Sequence, residues 1–147
     1  MNKPARPTRA DYKVFYPITT RWSDNDIYGH VNNVMYYSYF DTAANRYLIE
    51  EGGLDIGDGS IVGYVVSSGC EYHAPITYPE AIDAGLRVDR LGNSSVQYGL
   101  AIFKEGEQEA VAHGHFVHVF VERAQNRSVP IPQALRTALQ RLQVTVP

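Results

Sequence analysis

The segment Arg21–Asn33, with the sequence RWSDNDIYGHVNN, leads directly into the aromatic segment Tyr36–Phe40, with the sequence YYSYF. A polar turn that carries aspartates, asparagines, a glycine and a histidine therefore precedes the most apolar helix that the sequence predicts. Such a turn presents side chains and free backbone N–H groups at a helix N-terminus, where negative charge is stabilised. We therefore expect the functional site of the protein at this turn.

Apolar residues at three- and four-residue spacing predict a helix from about Asn32 to Glu51. Asn32 or Asn33 is suited to cap the start of this helix, and Gly52-Gly53 to end it. The predicted apolar face consists of Tyr36, Tyr37, Phe40, Ala44, Tyr47 and Leu48.

The rest of the chain predicts strands and one short helix. A strand is predicted before the turn, within Asp11–Trp22, and four more follow the long helix in hairpin-like succession. These four are Ile61–Tyr72, interrupted at Ser67-Ser68-Gly69, then Ile82–Asp89, Val96–Ile102 and Glu109–Glu122, the last being the longest. Pro132–Gln143 predicts the short helix. This order indicates an α+β fold with a largely antiparallel sheet, as a single domain over residues 11–147 after a flexible lead-in at 1–10.

Composition excludes several classes of protein. The 147 residues are 44% hydrophobic and 20% charged, which is typical of a globular chain and not of a disordered one. The formal net charge of −3 argues against a nucleic-acid partner. Cys70 is the single cysteine, and neither a signal peptide nor a membrane-spanning stretch is evident. We therefore expect a cytoplasmic protein that does not insert into a membrane.

Asp26 is the principal candidate for chemistry. A tight turn through Gly29-His30 would set its carboxylate beside the N–H groups that open the helix, pairing a base or nucleophile with an oxyanion site. The alternative is that Asp24 and Asp26 only cap the turn and complement the helix dipole. His30 is a candidate general acid, a positioning donor or a turn residue, and spacing alone leaves these alternatives open.

A metal site at the late histidines is not expected. In a strand, His113 and His115 share one face and His118 points to the other, so without a bulge the three cannot converge on one ion. No carboxylate that would complete a two-histidine ligand set is evident nearby in the sequence.

The pattern Arg21-Trp22-x-Asp24-x-Asp26-x-x-Gly29-His30-Val31-Asn32-Asn33, with Tyr36, Tyr39 and Phe40 after it, resembles a known family. It is similar to the hot-dog-fold thioesterases of the 4-hydroxybenzoyl-CoA thioesterase superfamily, nearest the bacterial acyl-CoA thioesterases with the signature D-x-x-G-H-V-N-N. The resemblance extends over about Tyr12 to Leu142. It implies a five-stranded antiparallel sheet wrapped around one long helix. It also implies a homodimer or homotetramer with active sites at the dimer interface.

The same resemblance implies hydrolysis of acyl-CoA thioesters without a metal or cofactor. Asp26 would be the general base or nucleophile, whereas the more variable Asp24 has no assigned chemistry. Asn33 stands where some members carry a catalytic histidine, which leaves Asp26 to work with His30 or with backbone groups alone. The implied oxyanion and positioning residues are Gly29, His30, Val31 and Asn33, the implied acyl pocket is Tyr36, Tyr37 and Phe40, and the arginines available for the CoA phosphates are Arg87, Arg90, Arg123 and Arg127. The alternatives are a hot-dog hydratase or dehydratase and a non-catalytic acyl-CoA-binding domain.

Overall fold

A computed structural model describes residues 6–55, 57 and 59–144. The strands and α-helices are β1 (Val14–Thr19), α1 (Asn33–Glu50), β2 (Ile61–Tyr72), β3 (Ala81–Leu91), β4 (Ser95–Lys104), β5 (Ala112–Glu122), β6 (Arg127–Ser128) and α2 (Gln133–Gln140). Short 3₁₀ turns lie at Arg9–Asp11 and Trp22–Asp24. The predicted long helix, the five predicted strands and the predicted terminal helix are therefore all present, with small shifts at their ends.

The strands form one antiparallel sheet in the order β1-β3-β4-β5-β2, with the two-residue β6 beside β5. The predicted hairpin succession is correct for β3, β4 and β5 but wrong for β2, which pairs with β5 at the far edge of the sheet. Alternation of polar and apolar residues determines which face of a strand is buried, but it does not identify the neighbouring strand. The antiparallel α+β arrangement itself is as predicted.

β2 is continuous and is the longest strand, with 12 residues. The interruption predicted at Ser67-Ser68-Gly69 is absent, and the strand instead has an irregularity in register between Val65 and Ser67. β5 has 11 residues and begins at Ala112, so the prediction that it is the longest was wrong. The reason is that Ala110 leaves the ladder and donates its N–H to the Pro7 carbonyl, at 2.8 Å.

The N-terminal segment contacts the sheet. Arg9 forms an ion pair with Asp83 at 3.0 Å, and its guanidinium lies over the rings of Phe15 and Phe103. Residues 6–10 of the predicted flexible lead-in therefore include a well-packed arginine, while residues 1–5 lie outside the described part of the chain.

Helix α1 lies against the sheet and provides the centre of the core. Asn32 caps its start, because its Oδ1 accepts a hydrogen bond from the Val34 N–H at 3.0 Å. The buried face is wider than predicted, since Tyr39 and Ala43 are buried with the rest, whereas Tyr37 is only half-buried. A sheet that curls around a helix covers more of its circumference than a flat surface would. No helix in the described ranges is long and apolar enough to cross a membrane.

Candidate active site

The turn before α1 is closed by its own backbone. The Asp26 N–H donates to the His30 carbonyl at 2.8 Å, and the Gly29 N–H donates to the Asp26 carbonyl at 3.1 Å. Gly29 has φ of 80°, a left-handed conformation that glycine adopts without strain. One carboxylate oxygen of Asp26 accepts from the Tyr28 N–H at 2.8 Å. The carboxylate is therefore held on a rigid loop.

Asp24 has a different environment from Asp26. It is 1% exposed and accepts hydrogen bonds from the Tyr39 hydroxyl at 2.7 Å and from the Arg21 N–H at 2.9 Å. The Arg21 guanidinium lies 3.1 Å from its other oxygen. Burial alone would raise the pKa of the Asp24 carboxyl, but these hydrogen bonds outweigh burial and hold the pKa below its ordinary value. Asp24 thus fastens the turn to α1 and has no free oxygen facing a cleft.

Asp26 borders two adjoining clefts. The first, which we name the polar cleft, has a volume of about 390 Å³. It is lined by Asp26, His30, Val31, Asn33, Tyr36, Tyr72, His73, Ala74 and Pro75. The second, which we name the apolar cleft, has a volume of about 790 Å³ and a mainly apolar wall. It is lined by Asp26 together with Trp22, Ser23, Asn25, Ile27, Gly29, Thr77 and Tyr78.

The backbone donors at this position are fewer than the sequence suggests. The Gly29 N–H is engaged by Asp26, and the Val31 N–H donates to the Ile76 carbonyl at 2.7 Å. Within the described part of the chain, the N–H groups of His30 and Asn33 have no acceptor. Both residues line the polar cleft, and Asn33 is the first residue of α1, at the positive end of the helix dipole. Of the four expected donors, Gly29, His30, Val31 and Asn33, only His30 and Asn33 therefore have unengaged N–H groups in the described residues, and the oxyanion role of these groups stays a prediction.

Of the three aromatic residues predicted for an acyl pocket, only Tyr36 lines a cleft that Asp26 borders. Its ring meets that of Tyr72 edge to face at 5.0 Å, and burial raises the pKa of its hydroxyl to about 12. Phe40 is fully buried and packs on Phe116, and Tyr37 stacks on the same ring. Both side chains contact Phe116 of β5, so neither lines these clefts within one protomer, and their place in an acyl pocket stays a prediction.

None of Arg87, Arg90, Arg123 and Arg127 lines either cleft. The clefts lie beyond the end of β1 at Thr19, which pairs with Ala81 at the start of β3. Arg87 lies six residues after Ala81 on β3, which is about 20 Å along an extended strand. Its guanidinium is occupied by Asp89, at 2.7 Å. Arg123 and Arg127 follow the end of β5 that pairs with the start of β2, also remote from the turn. Within one protomer these arginines lie outside both clefts, and their contact with the CoA phosphates stays a prediction.

The structure brings a second histidine to the polar cleft that the sequence did not suggest. His73 follows β2, and its Nε2 lies 2.8 Å from Nδ1 of His113. The other ring nitrogen of His113 lies 3.0 Å from the Glu71 carboxylate. Burial, reinforced by the neighbouring His113 and Arg6, lowers the pKa of His73 below its ordinary value.

Glu71 is the carboxylate that was not evident near His113 in the sequence, so that part of the expectation was wrong. The two residues are direct partners in the β2–β5 pairing, although they lie 42 positions apart in the chain. As predicted, His118 lies on the opposite face of β5, where it is 1% exposed and its Nδ1 lies 3.1 Å from the Tyr98 hydroxyl.

An antiparallel sheet curled around one long helix, with a carboxylate at the N-terminus of that helix, defines a hot-dog protein with a candidate hydrolytic site. The chain belongs to the thioesterase-like superfamily, whose family model matches residues 20–139. It is similar to the crystal structure of the PA5185 protein from Pseudomonas aeruginosa strain PAO1, with 63% identity over 97% of this chain and 99% of that chain, at a TM-score of 0.95.

Two further structures are similar to this one. PA2801 from Pseudomonas aeruginosa, described as a putative thioesterase, is 32% identical over 85% of this chain and 96% of that chain, with a TM-score of 0.80. The gentisyl-coenzyme A thioesterase BH1999 shares the fold at 24% identity, over 86% of this chain and 99% of that chain, with a TM-score of 0.76. No curated protein matches the chain. Family and neighbours together identify a thioester hydrolase.

Proposed function

We propose that this protein hydrolyses acyl-CoA thioesters and that Asp26 is its catalytic carboxylate. The observation that carries the proposal is the position of Asp26, which borders the polar cleft beside the two unengaged amide donors of His30 and Asn33. A base or nucleophile and an oxyanion site are the two elements that thioester hydrolysis requires. CoA leaves as a thiolate, so the reaction needs no further acid of unusual strength.

The chemistry begins at the thioester carbonyl. Asp26 either removes a proton from an attacking water or attacks the carbonyl carbon itself to form an anhydride, which water then hydrolyses. In both routes the negative charge that develops on the carbonyl oxygen is stabilised by the N–H groups of His30 and Asn33 at the positive end of α1. One such donor lowers the barrier by about 3 kcal/mol.

The acyl group is proposed to bind against the aromatic wall of the polar cleft, which Tyr36 and Tyr72 form. A wall of edge-to-face rings favours a compact or aromatic acyl group. The similar fold of BH1999, a gentisyl-coenzyme A thioesterase, supports including aromatic substrates among those tested.

The exposed edge of β2 supports a homo-oligomer. On one side β2 pairs with β5, and among the described residues no strand pairs with its other side. Tyr64, Val65 and Val66 on this strand are 46%, 45% and 60% exposed. A long apolar edge strand is a template for pairing with a second copy, which would extend the sheet. In a homodimer or homotetramer built in this way, contacts from Arg87, Arg90, Arg123 or Arg127 to the CoA phosphates would have to come from a second subunit.

The reaction is tested by incubating the purified protein with short, long and aromatic acyl-CoAs while free thiol is followed with a chromogenic disulfide reagent. The proposal predicts release of stoichiometric free thiol and free acid from at least one substrate. Enoyl-CoA substrates are followed at the same time by the absorbance of the conjugated thioester. Loss of that absorbance without thiol release would instead indicate a hydratase. Acyl-CoA binding without any turnover would indicate a binding domain.

A single turnover in ¹⁸O-labelled water distinguishes Asp26 as a nucleophile from Asp26 as a general base. A nucleophilic Asp26 takes up ¹⁸O in its own carboxylate when the anhydride is hydrolysed at the aspartyl carbon, and mass spectrometry of the peptide that contains it detects the label. A general base leaves the peptide unlabelled and places all the label in the free acid.

A further inference from the structure

Glu71, His73 and His113 form a compact group of potential metal ligands. Each of the three side chains offers one ligand atom, and these atoms lie within 4.8 Å of one another. The backbone holds the group together, because Glu71 and His113 are cross-strand partners and the His73 N–H donates to the Val111 carbonyl at 2.8 Å. The spacing is therefore set by the β2–β5 ladder and not by flexible loops.

The donor set selects the kind of ion. Two imidazole nitrogens and one carboxylate oxygen are a ligand set typical of zinc, with water in the fourth position. Calcium and magnesium prefer oxygen ligands throughout, so the two nitrogens disfavour both. The group thus fits a divalent transition-metal ion of the zinc class.

The distances are close to what such an ion needs. The His73–His113 nitrogens are 2.8 Å apart and the His113–Glu71 pair is 3.0 Å apart. Bonds of about 2.0–2.1 Å in a tetrahedron place ligand atoms about 3.3 Å from one another. His113 uses a different ring nitrogen for each neighbour, so one neighbour must turn for all three to meet one ion. The Glu71 side chain is 67% exposed and is free to make that rotation.

We propose that Glu71, His73 and His113 bind one divalent zinc-class ion per protomer. His73 also lines the polar cleft, so the ion would lie at the wall of that cleft. The proposal is independent of the hydrolytic role of Asp26, since binding is measured without any thioester substrate.

The test uses the full-length protein, freed of metal by a chelator and then titrated with Zn²⁺ by calorimetry and with Co²⁺ by visible absorption. We expect one ion per chain and, for Co²⁺, ligand-field bands typical of low coordination with nitrogen ligands. Loss of a residue that only contacts a metal ligand weakens binding by about 10–100-fold. His73→Gln and His113→Gln each remove a direct ligand, so each should weaken binding by more than that. Glu71→Gln should also weaken it, and because Glu71 is exposed this variant keeps the fold.

The matched control is His115→Gln, which alters a half-buried histidine two positions from His113 on the same face of β5. It should bind both ions as the wild type does, and thermal melts should show that all variants are folded. The proposal is overturned if the wild type binds neither ion at micromolar concentration, in which case the group is only a hydrogen-bonded network. It is also overturned if Glu71→Gln binds as tightly as the wild type, or if His115→Gln loses binding equally.

Discussion

The buried histidine on β5 makes the stability of this protein depend on pH. His118 is 1% exposed, and burial lowers its pKa from the ordinary value of 6.5 to about 4. Its Nδ1 lies 3.1 Å from the Tyr98 hydroxyl, and its ring is flanked by Phe116 and Phe120. Because burial is the cause of the lowered pKa and no acidic side chain among the described residues pairs with the ring, the folded protein holds His118 neutral at pH 7.

The sign of the effect follows from proton binding in the two states. Between pH 6.5 and about 4 the unfolded chain binds a proton at His118 and the folded chain does not. The stability from the neutral ring is therefore fully present above pH 6.5 and is lost as the pH falls towards about 4. A pKa shift of this size lowers the free energy of unfolding by about 3 kcal/mol in total, and most of this loss is complete by about pH 4.5.

The measurement is urea unfolding of the wild type and of His118→Gln at about pH 7 and about pH 4.5. Glutamine keeps a donor and an acceptor near Tyr98 but does not titrate. Between the two pH values, the free energy of unfolding of the wild type should fall by about 2–3 kcal/mol more than that of the variant. His115→Gln, which alters a less buried histidine on the other face of β5, is the control and should retain the wild-type pH dependence. An identical loss in wild type and His118→Gln would refute the reasoning.

Two further predictions concern the turn and the sheet edge. Tyr39→Phe removes the 2.7 Å hydrogen bond to the buried Asp24 carboxylate and should lower the free energy of unfolding by about 1.5–3 kcal/mol. A change within the error of urea unfolding would contradict a stabilising role for this hydrogen bond. Val66→Glu places a charge on the exposed edge of β2 and should yield a folded monomer by light scattering coupled to size-exclusion chromatography, from a wild type that is dimeric or tetrameric. A monomeric wild type, or a variant with unchanged mass, would rule out pairing through β2.

Local features of the chain were predictable because they depend on neighbours in sequence. The start of α1 at Asn33 follows from an asparagine that can cap the first turn, and its burial follows from apolar residues at helical spacing. The opposite orientations of His113 and His118 follow from the two-residue period of a strand. The fold class, which follows from the order of the elements, and the position of Asp26 just before a helix N-terminus were predictable because both depend on residues close together in sequence.

Features that depend on strand pairing were not predictable. The sequence does not indicate that β2 pairs with β5, so neither the Glu71–His113 contact nor the approach of His73 could be foreseen. The arginines were considered by charge alone, and only the register of β1 with β3 places Arg87 far from the turn. Likewise, helical spacing does not distinguish a ring that lines a cleft, such as Tyr36, from one that fills the core, such as Phe40.

The kinetics of Asp26→Asn on the best acyl-CoA substrate test the central claim most directly. The variant removes the base or nucleophile but keeps an oxygen that can accept the Tyr28 N–H, so the turn should remain folded. We predict a fall in kcat of about 10²–10⁴-fold with little change in KM. Asp41→Asn, at an exposed aspartate on α1, should keep the wild-type rate. Undiminished turnover by a folded Asp26→Asn variant would contradict the account.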